Sequence, residues 1–242
     1  MMERTIYASC PVCWAPGMQT EQDWKDFAQG KKEIERTAEA PKLEFTTPLF
    51  RRRLGQLCRM TVQVVHDSIE RFGIKDLPIL FTSVYGEINR EFTIDRSVIT
   101  EGSVMPAAFS LSTFNAPVAL ATIAMATLQC GIKSGYEVVF PSKGNFSYAL
   151  QAAEASVFGG KQDKILFVYG DELFPQEYDS IKSVKEGNIP IPNIPLAFAL
   201  VIGRSPLENC SGVKFNSKDF TSKKTPLDFL KMLLNANRLF LL

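Results

Sequence analysis

The 242-residue chain has a single histidine, His66, and almost no charge excess, because 27 Lys and Arg balance 26 Asp and Glu to a net charge of +1. A balance of this kind offers no general attraction for nucleic acid or for an anionic membrane, so neither is an expected partner. No apolar run approaches the ~18–20 residues that cross a bilayer, and the first residues lack the apolar segment of a secretory signal. We therefore expect a cytoplasmic protein without a membrane span.

Cysteines are few and scattered. The five are Cys10, Cys13, Cys58, Cys130 and Cys210. Their odd number favours reduced thiols. Cys10 and Cys13 form a CxxC pair, but no second pair or suitably placed histidine completes a zinc site, and a loop follows instead of the helix of a redox pair. We expect no metal and no cofactor, and we expect this pair to fill the end of the first strand as small apolar residues.

The chain alternates between predicted strands and predicted helices. At 45% hydrophobic and 22% charged residues it has the composition of an ordinary globular protein, and its length fits one domain over residues 1–242. Apolar runs predict strands at 5–9, 79–83, 138–140, 165–169 and 197–202. Helical spacing predicts helices at 51–72, 87–103, after Thr113, at 145–158 and after Thr225, while 15–50 is predicted as loop with at most one helical turn. This alternation predicts an α/β fold with helices on both faces of a sheet.

A strand, a tight turn and a helix follow one another as YEVVF, PSKGN and FSYALQAAEASVFGG. Many acyl-transfer enzymes place a nucleophile at such a junction, and here the position is held by Ser142. Its neighbours Lys143 and Asn145 lie where free N–H groups at a helix start can hold an anion or a thioester carbonyl. A serine nucleophile needs a base, and His66 is the only histidine, while PSKGN is also an ordinary turn composition. A catalytic Ser142 and a structural turn both remain open.

Several motifs in order resemble the N-terminal half of a β-ketoacyl synthase, a member of the thiolase superfamily. They are RRRLGQLCRM at a helix start, LPILFTSVYGE at the second strand, FSLSTFNAP at the pocket loop, the Ala-rich helix and the strand end YGDE. The resemblance covers roughly residues 5–205. It implies a thiolase-like half, a single repeat, with a mixed, mostly parallel five-stranded sheet.

The resemblance also shows what the chain lacks. The family carries its nucleophilic cysteine at or next to the position of Ser142, and its second half brings two histidine motifs that are absent from this sequence. The chain is thus most similar to chain-length-factor-like subunits of bacterial aryl polyene and type II polyketide clusters. That likeness implies a non-catalytic subunit that pairs with an active β-ketoacyl synthase in fatty-acid or polyketide-type biosynthesis and meets the acyl carrier protein through that partner.

The resemblance further assigns site residues. In the pocket loop, Phe109, Phe114 and Asn115 would border the acyl tunnel, with ordinary core packing as the alternative. The strand before the turn would lie at a subunit interface through Tyr136, Val138 and Phe140.

Three alternatives stay open at this point. A basic run, Arg51 to Arg53, is either solvated or internally paired, or else forms a docking patch for an acidic carrier protein. The chain as a whole could instead be a Ser142-dependent acyl-transfer or hydrolytic enzyme. It could also be a homodimeric ligand-binding scaffold.

Overall fold

One mixed sheet organises the fold of the computed structural model, which describes residues 4–130, 132–160, 162–180, 193–207 and 212–236. In these ranges the strands are β1 Thr5–Ala8, β2 Val12–Trp14, β3 Ile79–Thr82, β4 Tyr136–Val139, β5 Lys164–Asp171, β6 Leu196–Gly203 and β7 Val213–Asn216. The helices are α1 Glu21–Ala28, α2 Pro48–Arg51, α3 Gln56–Phe72, α4 Ile88–Glu101, α5 Pro106–Phe109, α6 Ala116–Thr127, α7 Ser147–Gly159, α8 Ser217–Phe220 and α9 Pro226–Ala236. The α/β class and the five predicted strands are confirmed.

The sheet differs from the expectation in size and direction. Its described strands run in the order β4-β3-β5-β6-β1-β7, and β2 also pairs with β6, so there are seven rather than five. Only β4, β3 and β5 are parallel, whereas β6 is antiparallel to β5, β1 and β2, and β7 to β1. The expected mostly parallel sheet is therefore wrong. A strand buried on both faces has the same continuous apolar sequence in either direction. The sequence of β6 therefore could not show whether this strand runs parallel or antiparallel to its neighbours.

The CPVC segment forms the bulge that separates β1 from β2 along β6. Ala8 lies opposite Ile202 and Val12 opposite Ala199, so β1 and β2 span one residue more than β6 does. The hydroxyl of Ser9 accepts the N–H of Val201 at 2.9 Å in place of a backbone carbonyl. Pro11, which has no N–H to leave unpaired, is suited to this break in the ladder.

Two helical layers cover the sheet. On one face α3 and α6 pack on the strands, and on the other face α7 and α9 do so with α1 beside them. Helix α3 approaches the sheet closely at Gly170 in β5, where an added Cβ would lie 2.8 Å from Leu57 Cδ1. A side chain at this position would push α3 away from the centre of the sheet.

The helix predicted at 51–72 is in fact two helices. The short α2 ends at Arg51, and α3 starts only after Gly55, which has extended backbone and no side-chain cap. The segment 15–50, predicted as loop, contains α1, whose start is fixed by a reciprocal capping box between Thr20 and Asp23. The break between α2 and α3 and the capping box of α1 each involve only a few residues, and neither produces a sustained apolar period in the sequence.

Helix α7 buries only one of its faces in this chain. Ala149, Leu150, Ala153 and Val157 are fully buried against the sheet, whereas its other face, which includes Tyr148, is open. The small residues spread around the helix, so composition alone could not show which face meets the sheet.

Replacing Ala153 by Leu should lower the free energy of unfolding by about 1–3 kcal/mol, because the side chain is fully buried and extra methylenes overpack the core. The matched control is Ala155→Leu on the exposed face, with an expected change within about 0.5 kcal/mol. Urea denaturation of both variants measures the difference. Equal losses would contradict the observed orientation of α7.

The hydroxyl of Thr61 in α3 is buried without a hydrogen-bond partner in the described part of the chain. Thr61→Val keeps the shape of the side chain and removes the unpaired polar group, so the variant should gain about 1 kcal/mol in free energy of unfolding. Thermal and urea denaturation measure the gain, and a loss of stability would show that the hydroxyl has a partner in solution.

Candidate functional site

The turn between β4 and α7 is held in a strained shape. Lys143 has φ +53°, which is uncommon for a residue with a side chain, and Gly144 follows at +68°. After the turn, the side-chain oxygen of Asn145 accepts the N–H of Ser147 at 3.2 Å and its hydroxyl at 2.8 Å, which caps the start of α7. Strained turns of this kind occur at functional sites, where the surrounding structure fixes them.

Ser142 lies at the start of this turn. It is exposed, and its hydroxyl makes no hydrogen bond to the described residues. His66 is engaged elsewhere, because its Nδ1 lies 2.9 Å from Asp67 Oδ1 and its ring stacks on Phe45 at 3.7 Å. The structure therefore does not bring together the serine and the base that a hydrolytic mechanism needs.

An aromatic cluster lies beside this turn at the edge of the sheet. The ring of Phe114 meets that of Phe140 edge-on at 5.3 Å and that of Phe81 at 6.3 Å. Asn115 donates a side-chain hydrogen bond to the hydroxyl of Tyr136 at 3.1 Å. Four residues that the sequence analysis singled out thus lie together: Phe114, Asn115, Tyr136 and Phe140. The fifth member of the cluster, Phe81, is a core residue.

The remaining predicted site residues are placed differently. Phe109 is 61% exposed on α5 and has no ring contact with the cluster. Val138 points inward and packs against the α3 and α6 side of the core. Phe140 is also 61% exposed, so the cluster presents one aromatic face to the outside.

Three buried carboxylates at the carboxyl ends of the parallel strands β3 and β5 were not singled out from the sequence. Glu87, Asp171 and Glu172 are each at most 2% exposed. Asp171 accepts hydrogen bonds from the hydroxyls of Ser83 at 2.5 Å and Tyr169 at 2.6 Å, as well as from two backbone N–H groups that follow β3. The signal that could have found Asp171 and Glu172 is a pair of acidic residues at the end of the apolar strand β5.

Burial dominates the electrostatics of these groups. It raises the pKa of Asp171 above its ordinary value, although the four hydrogen-bond donors oppose the shift. Burial, and next the negative charge of Glu87, raises the pKa of Glu172 to about 7. Arg90 pairs with Glu87 at 3.3 Å and partly compensates its charge.

A cleft of about 560 Å³ opens over the two glutamates. Its walls come from the base of α4 and from residues 173–176, and it borders a second groove of about 830 Å³ between α2, α5 and α6. Arg52 and Arg53 line that second groove and are exposed, whereas Arg51 is tied to the carbonyl oxygens of Leu43 and Thr46. The basic run is thus internally paired at its first residue and solvated at the next two.

Other expected or alternative sites gain no support. Within the described residues no group of three or more His, Cys, Asp or Glu side chains could hold a metal ion. In the same part of the chain, no helix combines the length and the apolar character needed to span a membrane. Burial raises the pKa of the Cys13 and Cys58 thiols, which disfavours reactive thiolates, and Cys210 lies outside the described residues.

Solved structures share this fold at low sequence identity. One is a ketosynthase (ApeO) in complex with its chain length factor (ApeC) from Xenorhabdus doucetiae, matched with a TM-score of 0.67 and 22% identity over 83% of this chain and 79% of that chain. The ishigamide ketosynthase/chain length factor matches with a TM-score of 0.58 and 11% identity over 81% of this chain and 62% of the other. A ketosynthase from module 6 of the bacillaene synthase of Bacillus subtilis 168 matches with a TM-score of 0.55 and 11% identity, and the 83% of this chain that aligns spans 37% of it.

No curated protein sequence matches the chain. The family model of the β-ketoacyl synthase N-terminal domain, in contrast, matches residues 23–237. That match spans nearly all of the 242 residues, and the fold has the thiolase-like arrangement of the solved ketosynthases. The chain belongs to the β-ketoacyl synthase N-terminal domain family.

Proposed function

We propose that this chain is a non-catalytic, chain-length-factor-like subunit that pairs with an active β-ketoacyl synthase and shapes the product made on an acyl carrier protein. The position of the Ser142 turn beside the exposed strand β4 is the observation that supports this role most. The turn at the nucleophile position carries Ser142 without a base, while the strand beside it, β4, presents an open edge and exposed aromatic side chains.

The chemistry of condensation is missing from the turn. A condensing enzyme needs a nucleophilic thiolate there and paired histidines to act on the thioester substrates. Among the described cysteines, Cys10 and Cys58 are buried, and Cys130 precedes β4 and donates its thiol hydrogen to the Leu128 carbonyl. The single histidine is held against Asp67. This arrangement favours a supporting role over a catalytic one.

The open edge of β4 suits association with another chain. Within the described sheet β4 pairs only with β3, so the outward backbone groups of its four residues have no strand partner. Unpaired edges are templates for strand pairing, and exposed apolar patches mark interaction surfaces. Tyr136 is 37% and Phe140 61% exposed on this edge, which is where the resemblance places a subunit interface.

Phe114 is the residue best placed to limit a tunnel. It lies between the core ring of Phe81 and the exposed ring of Phe140. The ring packs closely on the backbone of Gly86, where φ is +64°. A Cβ added at this glycine would lie 3.1 Å from Phe114 Cδ2, so a side chain at residue 86 would crowd the ring. Truncating Phe114 would open volume directly at the proposed interface.

The family resemblance extends the proposal to the compartment, the pathway and the carrier protein. The pair would act in the cytoplasm on an acyl carrier protein, in aryl polyene or type II polyketide biosynthesis, with the carrier bound chiefly through the ketosynthase. The exposed Arg52 and Arg53 offer positive charge to an acidic carrier near the 830 Å³ groove.

The purified chain alone should form no β-ketoacyl product from malonyl and acyl thioesters, because Ser142 has no base. Product formation is followed by mass spectrometry, with Ser142→Ala as the control. Product that scales with the amount of chain and disappears in Ser142→Ala would replace this proposal with the Ser142-dependent enzyme.

Phe140→Asp should weaken binding to a β-ketoacyl synthase encoded in the same gene cluster by roughly tenfold or more, because it places a charge in a desolvated interface. The matched control is Leu49→Asp, since Leu49 is 68% exposed but lies on α2. Isothermal titration calorimetry or co-purification measures the binding. A wild-type chain that does not bind the synthase, or that forms only a homodimer, would contradict the pairing.

Phe114→Ala should change the length of the acyl chain made by the complex more than it weakens the complex. The expected shift is toward longer products, because the substitution removes a ring from the proposed tunnel wall. Product lengths are read by mass spectrometry at matched amounts of complex. Unchanged products from an intact complex would assign Phe114 to core packing.

A further inference from the structure

Two buried carboxylates lie side by side at the N-terminus of α3. The N–H of Leu57 donates to Glu172 Oε2 at 3.4 Å, and the N–H of Cys58, the next residue, donates to Glu87 Oε1 at 3.2 Å. Gly55, at the cap position, has no side chain to serve the helix, so the glutamates from β5 and from the start of α4 take that role.

The same carboxylates also bind the first turn of α4, which we call the base of this helix. Glu172 Oε1 accepts the N–H of Asn89 at 2.9 Å, and the side-chain amide of Asn89 donates to the carbonyl of Leu173 at 2.6 Å. Glu87 Oε2 lies 3.3 Å from Arg90 Nε. Glu172 therefore joins the N-termini of two helices through one carboxyl group.

The rest of α4 is weakly attached to the body. None of its residues is buried, and Ile99 near its end is 83% exposed. Beyond the base, the ring contact between Phe92 and Tyr178 at 5.4 Å is a further attachment. The short α5, with the exposed Phe109, follows directly, so α4 and α5 form an arm over residues 88–109.

Charge at the base of the arm is unbalanced when Glu172 is ionised. Arg90 is the facing cation, while Asp171 at the end of β5, Glu91 on α4 and the neutral thiol of Cys58 on α3 are the other titratable groups around the two glutamates. Ionised Glu172 adds a second buried negative charge beside this one cation, and protonation of Glu172 removes it.

We propose that Glu172, beside Glu87, is a protonation switch that sets how firmly the α4–α5 arm is attached to the sheet. With Glu172 protonated the base of α4 is held, and with Glu172 ionised the repulsion between the two glutamates loosens it. A consequence for partner binding, through the exposed Phe109, rests on the proposed function, whereas the switch itself belongs to the isolated chain.

The sign of the pH dependence follows from Glu172. Its pKa is raised from an ordinary 4.5 to about 7 in the folded chain, so the folded state holds the proton more tightly than the unfolded state does. The stabilising contribution is complete below about pH 4.5 and is lost as the pH rises through about 7. The arm is therefore expected to open more easily on the alkaline side.

Amide hydrogen exchange of residues 88–101, in the wild-type chain without any partner, tests the switch. After correction for intrinsic exchange, opening should be roughly three- to tenfold more frequent at about pH 8 than at about pH 6. Glu172→Gln keeps an acceptor oxygen but cannot ionise, so its opening should be independent of pH. Glu101→Gln, at the exposed end of the same helix, is the matched control and should behave as wild type.

Equal opening of the wild-type chain at both pH values, or the wild-type response in Glu172→Gln, would overturn the proposal. If Glu172→Gln fails to fold by circular dichroism, Glu87→Gln decides, because it removes the neighbouring charge and should move the midpoint below about 7. An unchanged midpoint in Glu87→Gln would also overturn it. The measurement needs no ketosynthase, so its failure and a failure of the pairing are separate results.

Discussion

The carboxyl groups at the end of β5 connect the sheet to the helices that surround the candidate site. Asp171 binds the backbone that follows β3, and Glu172 binds the first turns of α3 and α4. A buried carboxylate is costly unless donors surround it, and here backbone N–H groups and hydroxyls supply most of them. The hydrogen bonds that offset this cost also fix the starts of α3 and α4. The positions of these two helices therefore depend on the end of β5.

The β4 edge of the sheet has the reverse character. Among the described residues β4 leaves its outer backbone groups without a strand partner, and Phe140 lies open beside a strained turn at Lys143. In an isolated chain such an edge invites non-specific pairing. A permanent partner along β4 would satisfy the backbone groups and cover the aromatic side chains. The proposed pairing with a ketosynthase would account for the exposed edge and for a turn whose Ser142 contacts no base among the described residues.

The sequence predicted the class of the fold, and the failures of the sequence analysis have physical causes. The turn at Ser142 could be located because strand, turn and helix have local signatures, and Asn115 of the predicted loop does contact Tyr136. The direction of β6 could not be predicted, since burial on both faces hides it. The roles of Glu87 and Glu172 depend on hydrogen bonds between residues 29 and 115 positions apart, which no local pattern records.

Hydrogen exchange of the β4 amides on addition of a β-ketoacyl synthase is the sharpest test of the proposed pairing. The amides of Tyr136–Val139 that face away from β3 exchange freely in an unpaired edge and slowly once a second strand pairs with it. Addition of the synthase should slow exchange of these amides by roughly tenfold or more, with little change at β7 on the far edge. A stable complex in which the β4 amides exchange as fast as in the free chain would contradict the pairing.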